Sequence, residues 1–419
     1  MMKSRALQAG GAFIFVCLTT LGGVYWMTRP TQAPLSAAKN STLTKEQIAE
    51  ALGSSTSNVQ YPKDIEFSLS GNSKVQTKVE YTLDPKLQKV MEDLIESYGP
   101  DYGAFVALDA TTGRILSMVS YSKSKKISDN LVLRATFPSA SVFKVVTAAA
   151  AIEGHKISRD TVIPFNGRNH TLYRGQILGS NVTRWTRFIT LKEAFARSIN
   201  TVFGKIGAFT VGSSGLRQYA DRFGFNRKIA ADVPIQEGRA PIPEDSWGLA
   251  ETASGYTKDN TMSPLQGALI AASVANDGIM MEPYLVQSVV QASDGSHLYT
   301  AQPKVANIVV SRATAAEIRS LMKETVLHGT SRGSFKGFFR KDFTFLDVGG
   351  KTGSLTGYDP RGKYDWFVGY ADSGPRRIAV AALTISEKQW KVKSSYLARR
   401  AIESYFKNPT AHTKTVAKR

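Results

Sequence analysis

Ser141-Val142-Phe143-Lys144 places a hydroxyl and an amine three residues apart at the start of an apolar run, VFKVVTAAAAIE, that Gly154 stops. Residues three apart share a helix face, so the Lys144 amine would lie beside the Ser141 hydroxyl. A helix that is apolar nearly all round is buried rather than superficial. Burial depresses a lysine's pKa, and a neutral amine can then take the serine proton and activate the oxygen as a nucleophile. The spacing alone says little, because Ser-x-x-Lys also starts at Ser36, Ser120, Ser122, Ser320 and Ser404. Taken singly, such a pair reads first as a snorkelling lysine and a helix-start serine.

Two later clusters single out the Ser141 copy. Ser198-Ile199-Asn200 offers a second hydroxyl and an amide inside LKEAFARSINTVFGKIG, a helix that Thr190 and Glu193 announce as a capping box. Gly349-Gly350-Lys351-Thr352-Gly353-Ser354 interrupts a strand-like run with glycines, which a strand tolerates where a ligand's backbone comes close.

The elements that must position these groups form an outer pair of strands, a helical middle and a final set of three strands. Residues 103–108 and 114–120 are apolar runs around Asp109-Ala110-Thr111-Thr112-Gly113, a turn composition that makes them a β-hairpin. Residues 345–355, 366–371 and 378–385 are three more strand-like runs. The order predicts one mixed α+β domain whose sheet is completed by both ends of its sequence. Val75, Thr77, Val79 and Tyr81 alternate with polar residues as in a strand, and Asp84-Pro85 opens a helix that Gly99 ends, so the domain is expected over 75–405. A basic C-terminal tail follows at 406–419. Residues 28–74 read as a tether carrying one short helix, capped by Thr44 and Gln47.

Residues 10–27, GGAFIFVCLTTLGGVYWM, hold no charge and are flanked by Lys3, Arg5 and Arg29. They are about long enough to cross a bilayer as one helix, with residues 1–9 as a short cytoplasmic N-terminus. The competing reading is a cleavable signal peptide, since Ser36-Ala37-Ala38 resembles a cleavage site, yet it lies well beyond the apolar run. Either way the positive-inside rule sends the rest of the chain out of the cytoplasm. A net charge of +19 favours anionic surroundings, but no zinc-finger or RNA-binding signature selects nucleic acid as a partner. Cys17 is the only cysteine, so no intrachain disulfide forms, and the five histidines lack metal-site spacing; neither metal nor cofactor is expected.

With Ser-x-x-Lys, Ser-x-Asn and Lys-Thr-Gly in that order, the chain resembles the penicillin-binding proteins, the serine D,D-transpeptidases of bacterial cell-wall synthesis. The resemblance extends to YTLDPKLQ, GAFVALDATTGRILSMVS, MSPLQGALIAASVANDG and WFVGYA. It implies a mainly antiparallel five-stranded sheet flanked by helices, as in the serine β-lactamases. It also implies that Ser141 attacks the carbonyl between two terminal D-alanines of a peptidoglycan stem peptide, with Lys144 as base. Ser198, with help from Lys351, would protonate the leaving D-alanine, Asn200 would hold the substrate backbone, Thr352 would bind its terminal carboxylate, and Gly353 and Ser354 would also bind substrate. The backbone N–H groups of Ser141 and Ser354 would form the oxyanion hole. Penicillins would acylate Ser141. The chain resembles a monofunctional member that leaves glycan polymerisation to a separate glycosyltransferase and other wall-synthesis proteins. It departs from the family at Ser354, where threonine is usual, and at Ala253-Ser254-Gly255, which replaces a glycine-rich form; residues 166–187 resemble no family pattern.

Other readings compete. Gly329-Thr330-Ser331-Arg332-Gly333 fits a nucleophile elbow, but a helical pattern precedes it where a strand is required. GGKTG is no phosphate loop, because the first glycine would fall at Phe345. Within the resemblance, a D,D-carboxypeptidase, a serine β-lactamase, and a non-catalytic β-lactam sensor or scaffold remain as alternatives.

Overall fold

Side chains alternate across a strand, so strands that read as near-continuous apolar runs must be covered on both faces. The hairpin of β1 (Tyr102–Asp109) and β2 (Ile115–Ser122) joins β3 (Asp347–Tyr358), β4 (Arg361–Asp372) and β5 (Arg377–Ser386) in one antiparallel sheet of order β3-β4-β5-β1-β2. The two ends of the sequence meet where β5 pairs with β1, from Ile378 opposite Asp109 to Ile385 opposite Tyr102. Ala104, Val106, Trp366, Val368, Ala381 and Leu383 face one way, against the wholly buried helix Pro264–Ala275. Phe105, Ala107, Phe367, Val380 and Ala382 face the other, against the helices Pro85–Tyr98 and Ser394–Lys407. This is the five-stranded α+β arrangement expected from the sequence.

The computed structural model describes residues 43–68, 74–124, 129–155, 157–179, 182–340 and 342–407. The expected membrane span at 10–27 lies outside the described residues, as do the segment 1–9 and most of the tail after 405. Among the described residues no helix is long and apolar enough to cross a membrane.

The stretch before residue 75 differs from the expected tether. Its helix, Lys45–Ser57, has the capping box of Thr44 and Gln47, but its Ile48 and Leu52 are buried with Leu43, Phe67, Val79, Val286 and Leu298. Strand Asp64–Ser68 pairs with Lys74–Tyr81, which pairs in turn with Val286–Gln291, giving a second, four-stranded sheet. Its third and fourth strands lie more than 200 residues downstream, so local sequence could not reveal that this segment is folded in.

Asp232 fastens the loop around it to that second sheet. Its fully buried carboxylate accepts the backbone N–H of Leu285 and of Val286, each at 2.8 Å. Burial pushes the carboxyl up to about 6 from 3.8. Asp232→Ala would leave both N–H groups buried and unpaired, and is expected to cost about 3 kcal/mol in urea unfolding at pH 5. Because the folded pKa is the higher one, the carboxyl's contribution is full below pH 3.8 and is lost as pH rises through about 6. The penalty of the substitution should therefore shrink between pH 5 and pH 7; a constant penalty would refute the titration.

Candidate active site

The nucleophile candidate sits on a turn that three separate contacts pin. Phe137–Pro138 pairs with Thr261–Met262, Ser139 N–H donates to the Asn260 carbonyl at 2.7 Å, and Trp366 Nε1 donates to the Pro138 carbonyl at 2.9 Å. Ala140 then adopts a left-handed conformation at φ 48°, and its carbonyl leaves no room for a side chain at Gly255, where a Cβ would lie 1.9 Å away. Gly255 itself has φ +67°, so only glycine fits. This explains the departure at Ala253-Ser254-Gly255: the third residue is the one whose side chain must be absent.

Residues Ala140–Phe143 form a 3₁₀ turn before the α-helix Lys144–His155, where the sequence predicted one continuous helix. In a 3₁₀ turn positions i and i+3 eclipse each other. Lys144 is accordingly stacked on Ser141, with Nζ 2.8 Å from Oγ, and is fully buried. Asn200 Oδ1, at 2.8 Å, and the Ser254 carbonyl accept two further hydrogen bonds from the same nitrogen. The Asn200 amide is oriented by its Nδ2, which donates to the His170 carbonyl at 3.0 Å. Burial first, and the charge of Lys351 second, hold Lys144 well below the ordinary lysine range. A neutral amine has two N–H groups and one lone pair. The two carbonyl acceptors take the N–H groups, which leaves the lone pair for the Ser141 hydroxyl.

The second cluster departs from the sequence reading in a way that makes the site. The expected continuous helix is broken into Leu191–Ala196 and Asn200–Lys205, with Ser198 between them at φ 55°. At 100° per residue, an unbroken helix would put Ser198 and Asn200 about 200° apart. The break turns both into one cleft, and a serine at positive φ is the kind of strain found at functional sites. Lys351, buried on β3, donates to Ser198 Oγ and to the Thr352 carbonyl, each at 2.9 Å. Burial lowers its pKa to about 7. The glycines around it are spaced for close packing: a Cβ on Gly350 would strike the Phe367 ring, and one on Gly353 would lie 3.3 Å from Ser141 N.

All the predicted site residues that can reach solvent, namely Ser141, Ser198, Asn200, Thr352, Gly353 and Ser354, line one cleft of about 610 Å³. The other Ser-x-x-Lys copies within the described residues are elsewhere; Lys323, for instance, pairs with Asp347 at 3.2 Å. The cleft also contains residues no motif announced. The unassigned segment 166–187 supplies His170 and, through the Asn169 carbonyl, a 2.8 Å acceptor for Asn200 N–H. The discarded elbow pattern supplies Thr330, whose hydroxyl meets that of Thr352 at 2.5 Å, while Ser331 is buried and donates to the Thr325 carbonyl. At the far end lie Asp365, Trp390, Lys393 and Ser395. Among the described residues no group of acidic, histidine or cysteine side chains could hold a metal ion.

Fold and site together have the arrangement of the penicillin-recognising class, with two cleft serines each beside a buried lysine. Residues 103–403 match the penicillin binding protein transpeptidase domain, and the chain belongs to that family. It is 32% identical over 344 residues to the peptidoglycan D,D-transpeptidase PbpA of Mycobacterium tuberculosis, an alignment spanning 73% of this chain and 66% of the relative. It is 27% identical over 311 residues to stage V sporulation protein D of Bacillus subtilis, covering 70% of this chain and 45% of that protein. The penicillin-binding protein A of M. tuberculosis, solved as a ceftriaxone acyl-enzyme complex, superposes with a TM-score of 0.64 at 28% identity, covering 78% of this chain and 80% of its own.

Proposed function

We propose that this chain is a peptidoglycan D,D-transpeptidase that also binds penicillins covalently at Ser141. The observation that carries the reading is the pair of buried lysines, one 2.8 Å from Ser141 and the other 2.9 Å from Ser198, behind a single cleft that both serines line. Neutral Lys144 takes the Ser141 proton as Oγ attacks the penultimate D-alanyl carbonyl of a stem peptide. The backbone N–H groups of Ser141 and Ser354 receive the oxyanion, worth a few kcal/mol per donor. Ser198, hydrogen-bonded to charged Lys351, hands a proton to the departing D-alanine, whose carboxylate is held at Thr352. Asn200 and the strand edge at Gly353 and Ser354 hold the donor backbone. An acceptor amine then attacks the acyl-enzyme to make the crosslink. The acyl-enzyme structure of the M. tuberculosis relative supports the same reaction with penicillins here.

The uncharged run at 10–27 and its basic flanks support a single-pass anchor in the cytoplasmic membrane, with the catalytic domain on the extracytoplasmic side. Crosslinking joins glycan strands that have already been polymerised, so the reading includes a glycosyltransferase among the partners. The test is to incubate the purified protein with a stem peptide ending in D-Ala-D-Ala and an amine acceptor, then weigh the products by mass spectrometry. The aminolysis product is expected; release of D-alanine with only the trimmed peptide would make the protein a carboxypeptidase, and no release at all would overturn the enzymatic reading.

A further inference from the structure

The hairpin of Val162–Phe165 and Arg187–Thr190 is apolar on both faces and covered on only one. Residues directly opposite in an antiparallel pair share a face. Ile163 lies opposite Ile189, and with Phe165 they pack into the main core. Val162 and Phe188 lie on the other face, opposite Thr190 and Pro164, and both are more than half exposed. At the tip Trp185 is 74% exposed, although the turn beneath it is fixed: Thr183 N–H donates to Thr186 Oγ1 at 2.9 Å and Trp185 N–H to Thr183 Oγ1 at 3.2 Å. At the base the Gln176 side chain fills the space beside Gly167 and brings up the short helix Arg174–Leu178, where Tyr173 and Leu178 are also exposed. Of the fourteen exposed large apolar side chains among the described residues, six belong to 162–188, Val182 being the sixth. Such clustering marks an interaction surface, where scattered exposure would need no explanation.

Charge narrows the choice of occupant. Residues 161–192 hold Arg168, Arg174, Arg184, Arg187 and Lys192 and no acidic residue. The ion pairs on either side belong to Arg159 and Arg197, and among the described residues none of these five joins one. The Arg184 guanidinium lies 4.8 Å from the centre of the Trp185 ring, so cation and indole share the tip. A second copy would bring like charge against like charge. A glycan strand stacks on flat rings and gains little from Val162, Leu178 and Val182. Indole, phenol and branched aliphatic side chains set among arginines are the composition that settles at a bilayer interface with anionic headgroups. The bilayer is also close along the chain: fifteen residues, 28–42, separate the uncharged run at 10–27 from Leu43, and they span at most about 50 Å. We propose that the 162–188 flank docks on an anionic lipid surface and so sets the His170 side of the cleft beside the membrane. The inference rests on the single-pass anchor proposed above.

The test uses the full-length protein in vesicles of phosphatidylcholine alone or mixed with phosphatidylglycerol, each made with and without bromine on the acyl chains, which quenches a tryptophan in contact with them. The share of the emission that belongs to Trp185 is the difference between wild type and Trp185→Phe. Its quenched fraction should be about fivefold larger with phosphatidylglycerol, the factor that one arginine at an anionic surface supplies. Raised salt should shrink that difference. Arg184→Glu with Arg174→Glu should abolish it, and Arg184→Lys with Arg174→Lys should keep it. Each variant should label with penicillin in detergent as wild type does, since neither arginine lines the cleft. Trp185 unquenched in both lipids, or quenched alike in both, overturns the docking and leaves the face to a protein partner; a difference that survives the double charge reversal overturns it too. A chain that floats with neither kind of vesicle would instead refute the anchor reading itself.

Discussion

Ser141→Ala is expected to abolish covalent labelling by fluorescent penicillin and to remove the mass increase that penicillin gives the intact protein. Two described serines line the cleft beside a fully buried lysine amine, Ser141 at 2.8 Å from Lys144 and Ser198 at 2.9 Å from Lys351. The label is expected on Ser141 because burial and the charge of Lys351 hold Lys144 well below the lysine range, which leaves its lone pair for that hydroxyl. The substitution removes one oxygen from a turn held by Pro138, Ser139 and Gly255, so the fold should persist. Turnover of the D-Ala-D-Ala donor should fall by on the order of 10⁴-fold or more, the scale seen when a nucleophile is removed from a serine acyl-transfer enzyme. Ser331→Ala, at the discarded elbow pattern, should label as wild type does, because that hydroxyl is buried against the Thr325 carbonyl. Labelling that survives the first change and is lost with the second would reverse the assignment.

Lys144→Met should lower the acylation rate by about 10³-fold, or roughly 4 kcal/mol, with the fluorescent penicillin as readout. The pH profile gives the sharper test. The reactive form has Lys144 neutral and Lys351 charged. Burial and the neighbouring charge put Lys144 well below the usual lysine range, whereas burial alone puts Lys351 at about 7. Acylation of the free enzyme should therefore rise as Lys144 loses its proton and fall as pH passes about 7 and Lys351 loses its charge, a bell shape that reports the pair. Lys351→Met should remove the alkaline limb. It should also move the acid limb to higher pH, because a positive neighbour that disfavoured protonated Lys144 is gone. An acid limb that stays in place would show that the two amines do not communicate.

The Ser141–Lys144 pair was legible because its elements are local: three residues of spacing, an apolar helix and a stopping glycine. The central sheet was legible for a similar reason, since runs such as 103–108 and 378–385 carry their burial on both faces in their composition. Ser198 and Asn200 were found as residues but not as a geometry. Their apolar neighbours continue a helical period straight through the site, and the break at Ser198 is imposed by packing against Lys351 and the His170 segment. The stretch 28–74 looks like a tether in the sequence because the strands that complete the sheet of its folded part, Val286–Gln291 and His297–Thr300, lie far along the chain.

By itself the sequence determined which serine and lysines could react, the order of the three motifs and the class of sheet that carries them, because residue type and short-range period record burial and chemistry. Only the tertiary structure decided that Lys144 spends both its N–H groups on carbonyl acceptors and that Ser198 and Asn200 share one cleft. It alone brought Thr330 to Thr352 and Lys393 to the cleft's far end. Those arrangements depend on contacts across tens to hundreds of residues, where proximity is set by how the sheet closes and leaves no periodic trace in the chain.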